Sequence, residues 1–103
     1  MKEVRFKANI EHFVKYSGYL GEHRRSPFSI LQLITKTFGF TREQQDRLEA
    51  RGEAIIVCSP EAFIGFVIDG TKRGQYFLIH LMGIEMVDIE SEKDKPLILR
   101  AAN

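Results

Sequence analysis

Residues 75–90 place the strongest constraint on what this chain can fold into. Gln75 to Leu81 and Ile84 to Glu90 are two runs rich in β-branched and aromatic residues, separated by Met82-Gly83. That is the sequence form of a β-hairpin. With Met82 and Gly83 as the loop, Leu81 stands opposite Ile84 and His80 opposite Glu85. One face of the hairpin then carries Phe77, Ile79, Leu81, Ile84 and Met86, and the other carries Tyr76, Leu78, His80, Glu85, Val87 and Ile89. Both faces are mostly apolar, whereas a strand with one wet face alternates polar and apolar residues. A chain with such a hairpin must find cover for two surfaces.

The material for that cover is limited. A chain of 103 residues makes one domain with a modest core, residues 1–103 together. The clearest helix is 27–38: Ser26 caps it, Pro27 is pre-set for its first position, and Phe28, Leu31, Ile34 and Phe38 form one apolar line widened by Ile30 and Leu33. Gly39 supplies the positive φ that ends it. Thr41 caps a second helix, 42–51, closed by Gly52 and polar except for Leu48 and Ala50. Glu43 precedes Arg47 by four residues, the orientation that favours a surface pair.

Elsewhere the period points to strands. Ala54-Ile-Ile-Val-Cys58 is a short continuous apolar run and reads as an inner strand. Ser59-Pro60-Glu61 resembles a helix start, and Glu61, Gly65 and Asp69 would give that helix one polar stripe. Phe63-Ile-Gly-Phe-Val-Ile68 is nevertheless dense in strand-forming types, so the favoured reading is one turn at 59–62 followed by a strand over 62–69. The segment 69–74 is then a hairpin tip, and 97–101 a short edge strand. At the other end Val4, Phe6 and Ala8 alternate with Arg5 and Lys7 as in a half-buried strand. Asn9 could cap a helix through Ile10, Phe13 and Val14 that Gly18 would end, although Val14, Tyr16 and Gly18 also fit a strand.

The expected fold is therefore α+β: a mostly antiparallel sheet of four to five strands (54–58, 62–69, 75–81, 84–90, 97–101) packed on one or two helices. Phe63, Val67, Tyr76, Leu78, Val87 and Ile89 fall on the sheet face away from helix 27–38, with the N-terminal segment covering part of it. An apolar face or edge left over is an association surface, which predicts a homodimer or another protein partner.

Charge and composition narrow the function. A net charge of +1 argues against a dominant polyanionic partner. The distribution is uneven: residues 1–42 hold eight basic residues against three acids, and residues 85–94 hold five acids against one lysine. The expectation is that these two ends face one another within the fold or across a dimer. No apolar run approaches the roughly 18 residues of a membrane span. The charges in Met1 to Lys7 stand where a signal peptide needs its apolar centre, and the single Cys58 fits a reducing compartment, so a cytoplasmic protein without membrane contact is expected.

Candidate chemistry is sparse. If the hairpin register holds, His80 and Glu85 are cross-strand neighbours, close enough for a charge-assisted hydrogen bond that would make a small ligand or acid–base site. A structural histidine is the favoured alternative. Cys58, within an apolar strand, reads as a small hydrophobe. The histidines and the cysteine lack metal-ligand spacing, and no glycine-rich stretch precedes a helix, so no cofactor is expected.

Nucleic acid is the runner-up partner. Helices 27–38 and 42–51 with Gly39 between them resemble a helix-turn-helix in spacing, with Arg42, Gln45 and Arg47 on the reading helix and Lys72 and Arg73 as a basic wing. Thr35 stands where that motif wants alanine or glycine, and Gln45 where it buries an aliphatic residue. Arg24 and Arg25, with Phe13, Lys15, Tyr16, Tyr19 and Phe28, form an aromatic–basic mixture of the kind single-strand binders use. Here the preferred reading is that Phe13, Tyr19 and Phe28 are core. The sequence thus carries no complete chemical motif, and the expected function is that of a small non-catalytic adaptor, regulator or inhibitor.

Overall fold

Local capping chemistry decides most of the helices. The computed structural model describes residues 3–19, 26–70, 85–86 and 95–102. β1 (Val4–Asn9) runs directly into α1 (Ile10–Tyr19), and Asn9 Oδ1 accepts from the His12 amide at 3.1 Å, so the asparagine caps the helix; it continues one residue past Gly18. α2 (Pro27–Phe38) has Ser26 as its N-cap, with Pro27 in the first turn and Gly39 at φ 65° closing the other end. α3 (Arg42–Arg51) starts with a full capping box: Thr41 Oγ1 accepts from the Gln44 amide at 3.2 Å, and the Thr41 amide donates to Gln44 Oε1 at 2.9 Å. Gly52, at φ 78°, turns the chain into β2 (Glu53–Cys58).

The expected strand over 62–69 is instead helix α4 (Pro60–Gly70). Ser59 Oγ accepts from the Ala62 amide at 3.1 Å, and the Phe63 amide donates to the Ser59 carbonyl at 3.1 Å. The Ser-Pro-Glu start therefore wins over the β propensity of the residues behind it, which was context-dependent to begin with. Phe66 is buried, Ala62 and Phe63 are half-buried and Ile64 is exposed, a helical rather than alternating burial pattern.

The sheet is mixed, with the order β3-β1-β2-β4. Among the described residues its body is three strands: β1 pairs antiparallel with β2, from Val4↔Cys58 to Asn9↔Glu53, and β2 pairs parallel with β4 (Ile98–Arg100). The two-residue β3 (Glu85–Met86) lies antiparallel on the other side of β1, opposite Lys7 and Phe6. The expected four to five antiparallel strands are corrected accordingly. A parallel β2–β4 pair needs a long crossover, and that crossover begins with α4. Residues 4–9 of the N-terminal segment do not cover the sheet but form an inner strand of it, and α1 joins the other helices in the core. Of the expected hairpin 75–90, only Glu85 and Met86 fall among the described residues.

One sheet face and the four described helices share a core. Phe6 lies between Phe38, Phe63 and Phe66, with ring centroids 5.8, 5.1 and 5.8 Å away, and Phe38 and Phe66 are 5.3 Å apart. Ile56, Leu99, Ile34, Leu31, Phe13 and Leu48 belong to the same buried cluster. Pairs at these distances add about 0.5–1.5 kcal/mol each beyond area burial. Ile55 and Val57 point to the opposite face, flanked by Lys7, Arg5, Ile98 and Arg100. They are 0% and 2% exposed yet stand outside the helix-side cluster. The sheet around Ile55 and Val57 is thus closed within one copy of the chain; Tyr76, Leu78, Val87 and Ile89 of the expected apolar face lie outside the described residues.

Candidate functional site

A sizeable concavity in the described surface is built by the ends of helices rather than by the sheet. At the corner between β1 and α1, the Ile10 amide donates to the Gly52 carbonyl at 2.9 Å and Asn9 Nδ2 donates to Glu53 Oε2 at 3.2 Å, tying the start of α1 to the turn after α3. Arg51 Nη2 donates to the Lys95 carbonyl at 3.1 Å and holds the end of α3 in place. The first turn of α2 stands opposite, fixed by Ser26 Oγ accepting from the Ser29 amide at 3.1 Å. Between these three ends lies a cleft of about 840 Å³, within the size range of roughly 300–1,000 Å³ that binding sites use.

Its lining is apolar inside and charged at the rim. Ile10, Val14, Pro27, Phe28 and Leu31 supply the apolar surface; Glu11, Lys15, Glu49, Arg51 and Glu53 supply charges of both signs. Ile10 and Leu31 are buried, Val14 is half-buried, and Phe28 is 61% exposed. Phe28 was expected in the core with Leu31, Ile34 and Phe38. It sits in the first helical turn, where no preceding turn exists for a side chain that leans toward the N-terminus to pack upon. Among the described residues Glu11, Lys15 and Glu49 form no ion pair or side-chain hydrogen bond.

The residues singled out from sequence are scattered. Phe63 on α4 packs half-buried against the core, edge-on to Phe6, and Val67 is half-buried on the same helix; neither is a sheet residue. Tyr76, Leu78, Val87, Ile89, Arg24, Arg25, Lys72, Arg73 and His80 lie outside the described residues, as does the side chain of Glu85, so the His80–Glu85 pair does too. On α3, Arg42 Nε is paired with Asp46 Oδ1 at 3.1 Å, Gln45 is half-buried and Arg47 is exposed. That helix holds three arginines against Glu43, Asp46 and Glu49 and presents no net positive charge. The Thr35 hydroxyl, misplaced for a helix-turn-helix, is buried without a hydrogen-bond partner among the described residues.

Cys58 is buried, and its thiol is pushed from an ordinary 9.0 up to about 11, first by burial and then by the negative charge of Glu3. A nucleophilic thiol requires the opposite shift. Glu3 itself accepts from Arg100 Nη1 at 2.7 Å and lies 3.7 Å from Arg5 Nη2. No group of three or more potential metal ligands occurs among the described residues, and no described helix is long and apolar enough to cross a membrane. Compared with protein-family models, curated proteins and solved structures, the chain matches none.

Sequence reasoning missed the cleft because its parts are distant in the chain. The signal that was present is Phe28 directly after Ser26-Pro27: an aromatic residue in the first turn overhangs the helix end instead of joining the stripe behind it.

Proposed function

We propose that this chain is a non-catalytic protein-interaction module that receives apolar side chains of a protein partner in the cleft between α1 and α2. The supporting observation is Phe28, a large aromatic residue 61% exposed on the wall of an apolar concavity. Interfaces are centred on a buried aromatic or aliphatic anchor surrounded by a polar rim, and the cleft has both parts. This reading replaces the sheet face as the contact surface, since Phe63 and Val67 are on α4 and Ile55 and Val57 are covered. The test is chemical crosslinking of tagged protein in extracts of its own cells. Wild type and Ile64→Asp, altered at an exposed residue of α4 away from the cleft, should capture the same partners, and Phe28→Asp should lose them. Equal capture by all three overturns the reading.

A second reading keeps α2, Gly39 and α3 as a helix-turn-helix on duplex DNA. It is favoured by the left-handed Gly39 and the close succession of the two helices, and weakened by the balanced charge of α3. It expects affinity that falls steeply with salt and drops on Arg47→Ala; binding insensitive to either removes it.

A further inference from the structure

The cleft carries its own candidate occupant. A two-fold dimer requires one patch that complements itself, so a protruding group and the cavity that accepts it must lie side by side on the same surface. Phe28 is 61% exposed at the wall of the cleft, and Val14 contributes half-buried apolar surface to the same lining. The rim has the matching electrostatic property. Glu11, Lys15 and Glu49 carry both signs within one patch and have no ion-pair partners among the described residues. A rim of one sign would repel a copy of itself, whereas a mixed rim can place Lys15 of each copy against an acid of the other.

We infer that the partner seated in this cleft is a second copy of the chain, with Phe28 of each copy inserted between α1 and α2 of the other. The inference rests on the reading of the cleft as a docking surface and names its occupant. The patch is small beside the 20 to 30 residues a side of a standard interface, so the dimer is a weak one that forms as concentration rises.

Sedimentation velocity on the full chain, from low micromolar to millimolar concentration, tests this. Wild type should move from monomer to dimer across the series. Phe28→Asp should stay monomeric, because losing an anchor of about 2 kcal/mol costs about thirtyfold in affinity and the symmetric dimer loses two. Lys15→Glu, which leaves the rim predominantly acidic, should weaken the dimer, and Ile64→Asp should leave it unchanged. A wild type that remains monomeric throughout overturns the second copy as occupant. If Phe28→Asp still loses partners in the crosslinking experiment, the docking surface itself stands. A dimer that Phe28→Asp and Lys15→Glu leave intact overturns the proposed geometry.

Discussion

The two ends of α2 carry the same side chain in opposite circumstances. Phe38, at the C-terminal end, is fully buried among Phe6, Phe40 and Phe66. Phe28, at the N-terminal end, is largely exposed over a cleft. One helix thus supplies packed core at one end and, in the reading proposed above, a contact surface at the other. Apolar composition alone does not distinguish the two; the position of each ring relative to the helix end and the sheet does.

The sharpest way to break this comparison is to truncate the buried ring. Phe38→Ala should lower unfolding free energy by about 3–5 kcal/mol in urea titration, the range for a large aromatic removed from a packed core. A loss below about 1 kcal/mol would mean that the ring cluster is not the stabilising centre described here.

Next in size is a pH effect on the same core. Below about pH 9 the Cys58 thiol is protonated in both folded and unfolded chains, and its contribution is fully present. Above that, the unfolded thiol ionises while the folded one stays neutral up to about 11. Stability should therefore fall across pH 9 to 11, by at most about 3 kcal/mol from this group. Subtracting the pH profile of Cys58→Ala from that of wild type isolates the component; superimposable profiles would show that the thiol is not buried as described.

Two smaller effects sharpen the contrast. Ser59→Ala removes the cap of α4 and should cost about 1 kcal/mol, measured by thermal unfolding; no change would return residues 60–69 to a strand. Phe28→Asp should alter stability by no more than about 0.5 kcal/mol, as for other surface substitutions. A large loss there would place Phe28 in the core after all.

How much of this was legible depended on whether the signal was local. Ser26, Pro27, Gly39, Thr41 and Gly52 mark helix ends by their own chemistry, and α2 and α3 fall where those residues put them. The alternation of Val4, Phe6 and Ala8 and the apolar run ending at Cys58 likewise identify β1 and β2. α4 was misread because Phe63, Ile64, Phe66 and Val67 are apolar on successive positions and carry no clear period, so the decision fell to the Ser59 cap. The parallel pairing of Ile55–Val57 with Ile98–Arg100 had no local signature at all, since register between distant segments is set only when the core assembles. The cleft is of the same kind: its walls come from the starts of α1 and α2 and the end of α3.

The most direct measurement of the central claim is a dilution series followed through backbone amide chemical shifts. Concentration-dependent shifts are expected at residues 10–15, 26–31 and 49–53, with the exposed face of α4 around Ile64 unaffected. Shifts that do not change with concentration, or that change on α4 instead of around the cleft, would contradict it.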